Sequence, residues 1–222
     1  MPHPAPSTFN GAADVVSLLV LLSAFAMLRA SLLRSQLRLY AFQSLSVVAL
    51  AVVVAATRHL DALYVLAALS FALKVLVVPR VVLTQLADAD VDLAGSSAYG
   101  VATMTLIAIA VSVFGFFSVG ALQVHSSALP STALAISVAV VLVSFVLVIL
   151  RSDVVSQAIG FFSLENGVSV ASLVVASGLP LIADVTFLFD LLVAVVVFGV
   201  LMRLHHGRAG TLSTDTLDRL KG

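Results

Sequence analysis

The chain has 222 residues, 61% of them apolar and 10% charged, with eleven basic residues against eleven acidic ones. A soluble domain of ordinary composition is about 45–50% apolar and about a quarter charged, so a soluble enzyme built on one core is excluded, and formal neutrality leaves no basic field for nucleic acid. With no cysteine in the sequence, iron–sulfur ligation, thiolate zinc, disulfides and thiol catalysis are excluded for this chain as well.

The first fourteen residues, MPHPAPSTFNGAAD, contain no Lys or Arg. A cleaved signal peptide has a basic stretch ahead of its apolar core, so 1–14 reads as a short external arm before a retained helix. Seven apolar runs follow, at 15–33, 39–56, 60–78, 99–124, 132–150, 154–177 and 181–202. Each is close to the roughly 20 residues that carry a helix across a hydrocarbon core about 30 Å thick. Many are rich in valine, yet none alternates with the period of two that a membrane barrel strand needs. Helix is therefore predicted, because in lipid a helix satisfies its own backbone. Pro79 closes the third run and should bend or end it. The polar stretch 87–97 (ADADVDLAGSS) is the longest connection, and 205–222 is a polar tail.

Basic residues set the orientation. Arg29, Arg34 and Arg38 surround the first connection, Arg80 follows the third run, Arg151 sits in the fifth connection, and Arg203 and Arg208 follow the seventh run. All fall on one side if the N-terminus is outside, with Arg58 alone opposite them. The expectation is an all-α polytopic membrane protein of about seven helices, N-out and C-in. An internal echo divides it. Leu33-Arg34-Ser35 precedes a helix containing Phe42-Gln43-Ser44-Leu45, as Leu150-Arg151-Ser152 precedes one containing Phe161-Phe162-Ser163-Leu164. Asp61 and Arg80 are spaced like Asp184 and Arg203. Residues 15–86 and 132–204 then form two parallel three-helix units, with 87–124 as polar linker and linker helix and 205–222 as cytoplasmic tail.

Three ionisable residues stand inside apolar runs: Lys74, Glu165 and Asp190. An ionised group at the bilayer centre costs about 2.5–3.5 kcal/mol on insertion scales, so each needs a compensating partner. Glu165 lies about 16 Å into the sixth run and Asp190 about 14 Å into the seventh from the opposite side, by the helical rise. Two carboxyls at one depth are the parts of a proton relay, since burial lets a carboxyl be neutral or charged near pH 7. The plainer reading makes each a neutral packing element. Asn166 and Gly167 beside Glu165 add a polar handle and room for close helix approach. Lys74, about 21 Å into the third run, either snorkels to the interface or answers a buried carboxylate. His205 and His206 are adjacent and share no helix face, and His3, His59 and His125 lie in connections or the arm, so no metal or haem ligand set forms. The serines have no embedded histidine to activate them.

The run RSDVVSQAIGFFSLENG (151–167), the mid-helix Asp190 and the tail GTLSTDTLDRLKG resemble hydrogenase-4 component E. RLYAFQSL (38–45) and KVLVVP (74–79) resemble that family's first half. The C-terminal third also resembles the small K-type (four-L-type) membrane subunit of respiratory complex I, which likewise has a mid-helix Glu, a second helical carboxyl and a short polar tail. The resemblance implies a non-redox subunit of a complex-I-like energy-converting hydrogenase or formate hydrogenlyase in a prokaryotic cytoplasmic (inner) membrane. Nickel–iron and iron–sulfur centres would belong to a peripheral arm, and antiporter-like subunits would be membrane neighbours. Glu165 matches the family's first carboxylate and Asp190 the second, although the complex I subunit has Glu there.

The reading from sequence is thus a multi-pass subunit lining part of a proton or sodium path. Glu165 and Asp190 are the relay carboxyls, Lys74 is a charge partner and Asn166 is a polar support. It holds no cofactor and performs no redox chemistry alone. A structural tether in the same kind of complex and a free-standing secondary transporter are the alternatives.

Overall fold

The computed structural model describes residues 8–89, 99–121, 131–175 and 199, and the described segments are helical apart from short connections. In chain order the elements are α1 (Thr8–Arg29), α2 (Leu33–Arg58), α3 (Asp61–Ser70), a π-helical turn (Phe71–Val77), α4 (Val78–Ala89), α5 (Val101–Ala121), α6 (Ser131–Leu150) and α7 (Val154–Val175). The helical reading of the valine-rich runs holds throughout these residues. Among the described residues, four stretches are long and apolar enough to cross a membrane: Leu33–Thr57, Asp61–Thr84, Val101–Gly120 and Thr132–Leu150. The seventh run, the tail and residue 190 lie outside the described residues, as do Asp184 and Arg203 of the internal echo.

Two boundaries differ from the sequence expectation. Helix α1 begins at Thr8, so 8–14 of the expected arm is already helical. Helix also continues through Pro79 to Ala89, so the proline does not end it there. The reason lies one turn earlier. Val78 N–H reaches back five residues to the Leu73 carbonyl, and this widened turn relieves the crowding that a proline ring imposes on a preceding α turn. At the other end of the rod, His59 takes a left-handed conformation (φ 53°) and its N–H closes on the Ala55 carbonyl. That terminates α2 and lets α3 start two residues later with Asp61 in its first turn, favourable against the helix dipole.

Helices α1, α2, α6 and α7 form the centre: α1 packs on α2 and α6, and α2 and α6 both pack on α7. The 61–89 rod lies along α2, and α5 lies along α6 and α1. Val20, Met27, Leu37, Leu50, Val140 and Ile159 are among the fully buried apolar side chains. Helices α6 and α7 approach closely at Gly160 and Gly167. A Cβ at Gly160 would lie 3.2 Å from the Val148 backbone nitrogen, and one at Gly167 3.1 Å from that of Val141. These contacts draw α7 inward and set its polar residues under cover.

Candidate functional site

Polar side chains share one face of α2. Gln36, Tyr40, Gln43 and Ser44 are all buried, and their spacing of i, i+4, i+7 and i+8 is that of a single helical stripe. Ser156, Ser163 and Asn166 form the matching stripe of α7 and are also fully buried. The two stripes meet and pair along the interface.

At the end where the α1–α2 and α6–α7 connections lie together, Ser156 Oγ donates to Gln36 Oε1 (2.8 Å) and Gln36 Nε2 donates to the Ala30 carbonyl (3.0 Å). Arg151 Nη2 donates to the carbonyls of Leu28 (2.8 Å) and Ala30 (3.0 Å). Burial pushes this guanidinium below its ordinary value, and the nearby Asp153 opposes the shift. Asp153 Oδ1 accepts the Ser156 N–H at 2.6 Å, capping the start of α7. A turn further in, the Tyr40 and Phe162 rings stand 5.7 Å apart and Ser144 and Ser163 share a hydrogen bond of 2.8 Å.

Deepest in the stripe lies a charged cluster. Lys74 Nζ is 2.8 Å from Glu165 Oε1, with side chains only 2% and 12% exposed. The ammonium also donates to Ser169 Oγ (3.1 Å) and Asn166 Oδ1 (3.3 Å). Ser169 Oγ in turn donates to the Glu165 carbonyl at 2.9 Å. Asn166 Nδ2 donates to Gln43 Oε1 (3.1 Å) and Ser44 Oγ (2.9 Å), and Gln43 Nε2 donates to the Val20 carbonyl (3.0 Å). Three helices and the π turn are thereby joined through one connected network. Tyr40 Oη and Glu165 Oε2 are buried without a hydrogen-bond partner among the described residues.

The structure therefore brings Lys74, Glu165 and Asn166 together, with Lys74 turned to the carboxylate and not to an interface. Asp190 lies outside the described residues. Gln43, Ser44 and Ser169 belong to the cluster but carry no charge, so a search for ionisable residues passes over them. The stripe of polar residues at 36, 40, 43 and 44 was the available signal. Chemically, a buried Lys–Glu pair is neutral as a unit, and a proton can cross the 2.8 Å bond from Nζ to Oε1 without changing that.

Buried polar groups, satisfied across the interfaces of long apolar helices, define the class: a polytopic membrane protein with an internal polar site. Comparison with known proteins narrows it. Hydrogenase-4 component E of Escherichia coli K12 is 25% identical over 183 residues, covering 82% of this chain and 85% of that protein, and the Shigella flexneri protein of that name matches to the same extent. The chain is thus similar to hydrogenase-4 component E over most of its length, at low identity. An uncharacterized protein of Mycobacterium tuberculosis is 38% identical over 84 residues, which span 37% of this chain and about a third (36%) of that relative's length. No family model and no solved structure matches.

Proposed function

We propose that the chain is a non-redox membrane subunit of a complex-I-like, energy-converting hydrogenase-type assembly, and that Glu165 with Lys74 is one station of an ion path through it. The observation that carries this reading is the 2.8 Å ion pair, largely covered among apolar helices. A charge pair in that setting is disfavoured by desolvation, and it persists where it serves transport. Asn166 orients the pair, and Asp190 is the second carboxyl of the path by its place in the sequence. Nickel–iron and iron–sulfur centres belong to partner subunits, and antiporter-like subunits are the membrane neighbours. The setting is a prokaryotic cytoplasmic membrane with the N-terminus outside. The clustering of Arg151 with the α1–α2 connection supports this sidedness, because it gathers basic residues at one end of the bundle.

Replacing Glu165 by Gln and Asp190 by Asn abolishes redox-coupled ion movement while the assembly still forms. Coupled movement that persists in the assembled double variant overturns the proposal. One observation favours a second reading, a structural tether: all three ammonium protons of Lys74 are engaged, as in a packing clamp. On that reading the same variants lose assembly before activity.

A further inference from the structure

The Lys74 ammonium sits where a dehydrated alkali cation would sit. Its three protons meet three oxygens of different kinds: the Glu165 carboxylate at 2.8 Å, the Ser169 hydroxyl at 3.1 Å and the Asn166 amide oxygen at 3.3 Å. Two of these acceptors are held in place from outside. Ser169 gives its own proton to the Glu165 carbonyl, leaving its lone pairs for the cation. Asn166 gives both amide protons to Gln43 and Ser44, which turns Oδ1 toward Lys74. Gln43 is itself held by the Val20 carbonyl. Carboxylate, amide and hydroxyl oxygens converging on one point are the donor set that a hard cation takes. Here the chain fills it with its own cation, 2% exposed.

We infer that this station handles protons and excludes sodium, because Lys74 occupies an oxygen cage built for a monovalent cation. The inference rests on reading the Glu165–Lys74 pair as part of an ion path. Charge decides between the two ions. The pair sums to zero, and a sodium ion added to it leaves a net positive charge among apolar helices. Proton movement does not. One Nζ–H bond breaks and one Oε1–H bond forms, giving a neutral amine and a neutral acid. As a proton arrives at Nζ, the Oε1–H bond breaks and the acid passes its proton onward along the path, which restores ammonium and carboxylate with the pair neutral before and after.

The test uses the intact chain in native membranes and, for binding, the same chain purified in detergent. Melting temperature is compared in sodium chloride and in choline chloride of equal concentration. The wild type shows no sodium-specific shift. Lys74→Ala, which empties the cage, gains a saturable sodium-specific rise that Lys74→Ala/Glu165→Gln lacks. A saturable sodium shift in the wild type that Glu165→Gln removes overturns the inference, as does a folded Lys74→Ala variant without any sodium effect. Should Lys74→Ala fail to fold, the wild type decides alone. Its coupled ion movement stays within twofold when sodium is replaced by choline, and a tenfold loss overturns the inference. The two levels separate through Glu165→Gln in the same membranes. If it moves ions as fast as the wild type, the ion-path reading falls whichever cation is used. If it is inactive while the wild type requires sodium, that reading stands and the proton assignment falls.

Discussion

Helices α5 and α7 are nearly equal in length, at 21 and 22 residues, and they meet the rest of the bundle in opposite ways. Helix α5 turns Leu106, Phe114 and Phe117 outward, each about two-thirds exposed or more (67%, 69% and 71%). It touches α6 closely at Gly115, where a Cβ would lie 2.8 Å from a Leu142 methyl. Helix α7 keeps Ser156, Ser163 and Asn166 fully covered by α2 and α6. Covering is what differs. In a bilayer an apolar helix can face outward without a partner, whereas a polar stripe holds only where neighbouring helices supply its hydrogen bonds. The α7 side of the molecule is therefore specified residue by residue, and the α5 side by little more than apolar volume.

The largest break in that contrast comes at the charge pair. Lys74→Met alone leaves Glu165 buried without its counter-ion and destabilises by about 3–5 kcal/mol, whereas Lys74→Met/Glu165→Met recovers most of that. Unfolding in mixed micelles of increasing SDS fraction checks both. A single variant as stable as the wild type refutes the pair's structural weight. Next comes the close approach that covers the stripe. Gly167→Ala places a methyl 2.9 Å from a Val141 methyl and 3.1 Å from its backbone nitrogen. It lowers stability by about 1–3 kcal/mol, as overpacking does, measured by the same titration. Asp153→Ala removes the cap at the start of α7 and costs about 1 kcal/mol, seen as faster amide exchange in the first turn of α7. The smallest effect is on the other side. Phe117→Ala on the outward face of α5 changes the stability of the isolated chain by no more than about 0.5 kcal/mol, and a larger loss shows that α5 is also residue-specific.

Much of the layout is legible in the sequence because the bilayer constraint acts on each segment alone. An apolar run near 20 residues long must be helical whatever it packs against, and the described helices Leu33–Arg58, Asp61–Ala89, Val101–Ala121 and Ser131–Leu150 fall on four of the expected runs. Glu165 and Lys74 stand out on the same grounds, as charges that need compensation. Their pairing is less readable. It depends on bringing residues 91 positions apart to one level, and on Asn166, Gln43 and Ser44 being turned the right way. The continuation of helix past Pro79 was hidden for a related reason. Proline is read as a terminator by its local sterics, while the wider turn that tolerates it is a property of the preceding seven residues, Phe71–Val77, taken together.

That turn also bears on how the chain compares with its relatives. A π turn holds one residue more than the α turn it replaces, so it amounts to a one-residue insertion absorbed without breaking the helix. Each residue advances an α-helix by about 100°. A chain one residue shorter between 71 and 77, wound as a plain α-helix, therefore presents a different side chain to Glu165. A relative that lacks the widened turn would point a lysine aligned with Lys74 in a different direction in space. A lysine shared in sequence is equivalent in this site only where the widened turn is shared with it.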